Sequence, residues 1–439
     1  MHRFYKIVLN NYLIVLSLLI IVIYRLFYFK FGIYTILYNS DTITYFTNDN
    51  LLNLRIDVYR TPIYPLILSL FELISVEHFI RNLILFQHFV ALICLPLLYL
   101  SVQNSTNNKY IAALTTLFFG CNHLILEQIK NINPESLAIA GSILSLYIFS
   151  IYIKNPTKLK AIILGFLPFL LIMLKPNFLI ITAIIFFFLL LRFINKKEER
   201  KIIFTAGSSW LLSIICLVGY CYLNKKLNND FTLSEISLNN SISNITKSGA
   251  YKLGKDEELI SIVDKTKNVG YYKYYTTVFT INNEFIDKFK LYNQSNVLNE
   301  YPPTADMEFC LKIPDTKNYT TKRIRNFINH SQNSKIFILF IMKRMINIFT
   351  YKPVLLCIML FLSCYTLLFS DLRKKIDWTL FFCIFLICSN YITIAINGIN
   401  DWERLILPSY PMIAFVYAFF VIYLMKLITY SSHKFSLRK

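Results

Sequence analysis

The chain has 439 residues, a net charge of +20, 56% hydrophobic residues and only 16% charged ones, with a mean hydropathy of +0.50. That balance excludes a water-soluble protein, whose polar surface must offset its core. The basic residues sit in short clusters between apolar runs, so they report membrane topology and no nucleic-acid partner is expected.

Taken in order, the apolar runs of about 16 to 22 residues are long enough to cross a hydrocarbon core of roughly 30 Å at 1.5 Å per residue. They predict an all-α polytopic membrane protein with ten spans, at about 7–28, 82–102, 110–128, 136–153, 161–175, 178–194, 202–223, 353–370, 378–396 and 410–428. The first run follows basic residues, as a signal peptide would. It is too long and lacks a small-residue cleavage site, so it reads as a retained anchor. With "MHRFYK" inside, the inner segments are "SVQNSTNNK", "KNPTKLK", "NKKEERK", "DLRKKID" and "SSHKFSLRK", and each carries Lys or Arg, as the positive-inside rule requires. The outer segments are then 29–81, "IKNINPE", the turn at Lys175-Pro176-Asn177, the stretch 224–352 and "NGINDWERLILPSYP".

This threading requires that 61–75 and 335–351 do not cross. The first is short and headed by a proline, and the second carries Lys343 and Arg344 in its middle. Both read as interfacial helices on the outer face. The polar stretch 224–334 is too long for a structureless loop. It holds "DEELISIVDKTKNV" at helical spacing and "YYKYYTTVFTI", rich in strand formers, and reads as a small outer-face subdomain. The chain thus divides into 1–223 with a first outer loop at 29–81, the outer segment 224–352, and the C-terminal spans of 353–439.

Eight of nine cysteines lie in or beside apolar runs, and only Cys310 is in the polar stretch. A disulfide framework is not expected, although a single Cys221–Cys310 bond stays open. The six histidines show no HxxxH or HExxH spacing, so a divalent metal is not expected. Gly-rich phosphate loops, GxSxG and CxxC are all missing from the sequence. Sequons at Asn239, Asn244, Asn293, Asn318 and Asn329 carry little weight in so Asn-rich a chain.

The threading gathers the unusual polar residues on the outer side, where ionisable groups at span ends favour a shared wet cavity over lipid. Asp41 in "NSDTITYF" reads as a general base for a hydroxyl nucleophile, or as a solvated acid or helix N-cap. Arg60 in "VYRTPIYP" reads as a bidentate phosphate ligand, or as an anchor for headgroups beside the belt tyrosines. Lys175 in "IMLKPNF" has the same two readings, and so has Arg404 in "DWERLILPSYP", where Glu403 offers a neighbouring partner. Glu135 in "NINPESL" opens a span, where the helix dipole favours an acid.

The stretches "SDTITYF", "YRTPIYP", "NINPESL", "LKPNFL" and "WERLILPSYP", in this order, resemble the GT-C superfamily of glycosyltransferases. Within it the chain is most similar to bacterial members of the protein O-mannosyltransferase and aminoarabinose-transferase type. The similarity covers residues 1 to 225 and, loosely, the last hundred, whereas 224–334 matches nothing in the family.

The resemblance implies a catalytic module in 1–223 that moves a sugar from a polyprenyl-phosphate donor to an acceptor hydroxyl with inversion. Asp41 would be the base, and Arg60, Lys175 and Arg404 would hold the donor phosphate. Tyr45, Tyr64, Glu135 and Glu403 would line the cavity on the acceptor side. The acceptor would be a glycan, lipid or protein, with membrane lipids as surroundings, and the setting a bacterial inner membrane with the site facing outward. One departure stands out: Arg60 and Thr61 occupy the place where some relatives have a second acid. The alternatives are an O-antigen-type polysaccharide polymerase or ligase, for which Arg323 and Arg325 in "TTKRIRNF" are the candidates, and a lipid or solute transporter without catalysis.

Overall fold

The computed structural model describes residues 12–32, 45, 60–75, 78–228, 231–234, 241, 244–261, 321–368, 378–397 and 405–436. Among them the chain is helical and contains no strand. The strand-forming stretch 271–281 lies outside the described residues, as does Cys310.

The principal helices are α1 (Tyr12–Gly32), α2 (Ile63–Ile74), α3 (Phe79–Thr106), α4 (Lys109–Gly120), α5 (His123–Ile129), α6 (Glu135–Lys154) and α7 (Lys158–Leu174). They continue as α8 (Leu179–Asn195), α9 (Arg200–Asn228), α10 (Thr321–Gln332), α11 (Lys335–Tyr351), α12 (Pro353–Leu368), α13 (Trp378–Asn397) and α14 (Tyr410–Ser436). Among the described residues six helical stretches are long and apolar enough to cross a membrane, or up to eight if each of two bent pairs counts as one span.

The bundle is built around α6. Its apolar window is 72% buried, against 28% for α9, which therefore forms a rim facing lipid. Ser136, Ser142, Ser145 and Ser150 are buried along α6, and small side chains let neighbouring helices approach closely. Phe149 of α6 stacks on Phe382 of α13 at 3.9 Å and meets Phe188 of α8. The same economy of volume joins α7 to α9, where Ser209 and Ser213 donate to the carbonyls of Ile162 and Gly165.

The span expected at 110–128 is broken into α4 and α5, bent by 52°. Asn122 explains the break: its side chain accepts from the amides of Leu124 and Ile125 and so starts a new helix. Gly120, just before it, packs directly on Ile21 of α1. A second bend, of 87°, separates α11 from α12 at Lys352 and Pro353. Proline favours the first turn of a helix, and the residue before it is biased away from helix, so the chain turns there. Segment 335–351 is thus not collinear with the span that follows.

A separate small core joins Ile245, Ala250, Tyr251 and Leu259 to Phe327 and Ile328 of α10 and Phe337 of α11. Arg344 of α11 ties this unit to the bundle. It donates to Asn244 Oδ1 at 2.6 Å and to the carbonyl of Ile394 near the end of α13, while Asn244 donates to the carbonyl of Ile396. Both side chains thereby satisfy carbonyls that the end of α13 leaves open. Nearby, burial and the charge of Arg344 lower Lys247 to about 8. Asn244 is fully buried, so its sequon is closed to modification in the folded chain. The Cys221 thiol is free.

Candidate functional site

Five of the eight residues singled out in the sequence meet at one end of the bundle. The entry point is Thr61, which donates to the carbonyl of Leu174 at 3.3 Å. That bond sets the start of the 61–75 segment against the end of α7 and brings the neighbours Arg60 and Lys175 to the same place. Pro62 precedes the first turn of α2, whose 12 residues span only about 18 Å and cannot cross a bilayer. Arg60 lies over the ring of Tyr45 at 4.3 Å, a cation–π contact that leaves the side chain partly exposed. Tyr45 meets Tyr64 edge to face at 5.1 Å.

Tyr64 is fully buried. Its hydroxyl donates to Gln87 Oε1 at 3.2 Å, and the Gln87 amide donates to the carbonyls of Ile129 and Asn131. One carboxamide thus fixes both α2 and the turn that leads into α6. Burial, then the nearby Tyr45 and Glu135, hold the Tyr64 hydroxyl well above its ordinary pKa; it acts as a neutral hydrogen-bond donor.

Glu135 opens α6 as its sequence position suggests, with its amide bonded to Asn133 Oδ1 at 3.2 Å. Its carboxylate does more than meet the helix dipole. Lys175 Nζ lies 3.1 Å from Glu135 Oε1, with the two side chains 9% and 3% exposed. This buried, charge-assisted bond links the first turn of α6 to the end of α7, at the open end of their hairpin. Lys175 is held at the site by an extended backbone between α7 and the single turn Pro176–Phe178.

Lys175 also lines a cleft between α6, α8, α13 and α14, together with Ser142, Asn177, Asn390 and Ser409. Asn390 of α13 donates to Ser409 Oγ at 2.8 Å, so the "LPSYP" stretch reaches the same cleft. Ile181, Leu386 and Met412 complete its apolar walls. The cleft is small, about 30 Å³, room for a water or two beside the Lys175 ammonium and the amides.

Asp41, Glu403 and Arg404 lie outside the described residues. Gln87 and Asn133 were not singled out in the sequence, although a glutamine inside "LILFQHFVALI" is visible as a polar residue in an apolar run. Among the described residues no three His, Cys, Asp or Glu side chains gather closely enough to hold a metal ion. The chain matches no family model, no curated protein and no solved structure.

Proposed function

We propose that this chain is an integral-membrane glycosyltransferase of GT-C type, with ten spans and its active site on the outer face. It transfers a sugar from a polyprenyl-phosphate carrier to an acceptor hydroxyl. The observation that carries the reading is the convergence of Tyr45, Arg60, Tyr64, Glu135 and Lys175, from four separate stretches of sequence, on one buried polar cluster. The same stretches carry the family resemblance.

In this reading Asp41 takes the proton of the acceptor hydroxyl as its oxygen attacks the anomeric carbon. The bond from that carbon to the phosphate oxygen breaks, and the polyprenyl phosphate leaves with the electron pair, which inverts the configuration. Arg60, Lys175 and Arg404 stabilise the charge that develops on the phosphate. Glu135 neutralises Lys175 in the resting protein, so Arg60, partly exposed above Tyr45, supplies the main attraction for the incoming head group.

The test is transfer of radiolabelled sugar from polyprenyl-phosphate donors in membranes holding equal amounts of wild type or Asp41→Asn. Wild-type transfer reduced by about 10²- to 10⁴-fold in the variant is the expected result. Equal transfer by the two proteins removes Asp41 from the mechanism, and no transfer by the wild type from any such donor removes the proposed function.

A further inference from the structure

One helix, α11, is shared by the small core and the bundle. Its first turns carry Phe337 and Ile341 into the core around Tyr251 and Phe327. Its later turns leave that core and brace the bundle. Arg344, 5% exposed, donates to Asn244 Oδ1 and to the Ile394 carbonyl in the last turn of α13. Phe349 meets the buried ring of Tyr391 at 5.5 Å, further back along α13. Lys352, at the corner before α12, donates to the hydroxyl of Tyr410 at 2.9 Å, at the first residue of α14.

These contact points flank the cleft beside Lys175. Tyr391 follows Asn390, and Tyr410 follows Ser409. Asn390 and Ser409, joined at 2.8 Å, are polar lining residues of the cleft. Asn390 also donates to the carbonyl of Leu405, so α13 and the approach to α14 are tied together here, and Ile394 lies one helical turn beyond Asn390.

The carbonyls at the end of a helix have no partner within it, and a guanidinium bonded to one of them holds that end in place through a charge-assisted bond. Asn244 holds the same end through the carbonyl of Ile396. The cleft has room for only a water or two, so a small shift of α13 changes what it admits. A displacement of about 1 Å in a group that positions a substrate costs up to about 10²-fold in rate.

We propose that Arg344 is a positioning residue: by holding the end of α13 it couples the small core to the cleft wall at Asn390 and Ser409, and so sets what reaches Lys175. Its effect on transfer rests on the transferase reading, whereas its effect on the wall does not.

The test uses the full-length protein in a cysteine-free background with Met412→Cys, at a cleft position 2% exposed, and follows its reaction with methyl methanethiosulfonate. Labelling is expected to be about tenfold faster with Arg344→Gln than with Arg344 in place. Arg344→Lys should recover part of the difference, because it keeps the charge and loses the second arm. In transfer assays on the chain with Met412 and its cysteines intact, Arg344→Gln should raise the KM for the polyprenyl-phosphate donor about tenfold and change kcat less. Mere loss of folded protein lowers kcat alone. If Arg344→Gln does not yield folded protein, Lys352→Gln, at the partly exposed far end of the brace, carries the comparison. Equal labelling rates in folded protein overturn the proposal, as does faster labelling with an unchanged donor KM. Faster labelling in a protein that transfers from no such donor supports the coupling and removes the transferase reading alone.

Discussion

Lys175 and Glu135 are forty residues apart and share one buried bond, and the physics of such pairs is asymmetric. Removing one partner strands a charge in low dielectric, whereas replacing both with apolar side chains is often close to neutral. Lys175→Met is therefore expected to cost about 3–5 kcal/mol, read as a fall in Tm in detergent. Adding Glu135→Leu to it should restore much of that loss while leaving transfer impaired. A Lys175→Met protein as stable as wild type would show that the bond contributes nothing to the fold. The pairing was within reach of the threading, because a hairpin turning at 155–157 sets the start of α6 opposite the end of α7. What the sequence withheld was that the two side chains point at each other, since that depends on how the helices are rotated. Arg25 was not singled out in the sequence, and its partner there could not have been, because the Gly120 carbonyl it donates to is released only by the broken helix.

At the scale of the elements, hydropathy located six helical stretches long and apolar enough to cross a membrane among the described residues, and it failed where the backbone and not the average polarity decides. The run 110–128 is continuous in hydropathy yet interrupted in space, because Asn122 offers the next two amides a better partner than the preceding carbonyls. The α7–α9 seam was equally silent: Ala161, Gly165, Ala206, Ser209 and Ser213 are scattered small residues until the two helices are laid together. A Cβ on Gly165 would come within 2.5 Å of the Ala206 carbonyl and 2.6 Å of the Trp210 nitrogen, both of them backbone that cannot swing away. Gly165→Ala is expected to lower stability by about 1–3 kcal/mol. Gly219→Ala on the open side of α9, where a Cβ meets nothing within 4 Å, should be neutral or slightly stabilising. Thermal unfolding of the two variants side by side checks the contrast, and equal behaviour would mean that the helices part without cost.

For the whole molecule, the ten-span threading has a direct consequence for which loops see which solvent. In a cysteine-free background, Lys335→Cys at the start of α11 should react with a membrane-impermeant maleimide in intact cells. Lys158→Cys at the start of α7 should react only after the membrane is opened. Labelling of Lys158→Cys in intact cells would reverse the orientation and put the cluster at Arg60 on the inner face. The 87° bend before Pro353 agrees with the expectation that 335–351 and 353–370 are separate elements.

Gln87 ties these scales together, and its chemistry restricts what the position tolerates. Its oxygen accepts one hydrogen bond from the Tyr64 hydroxyl, and its nitrogen donates to two carbonyls, of Ile129 and Asn131. Glutamate has no proton to give when ionised, lysine has no lone pair to offer, leucine has neither, and asparagine is one methylene short. Of the twenty side chains, glutamine alone meets all three demands at that reach, so drift at this codon is closed off even though the residue touches no reacting atom.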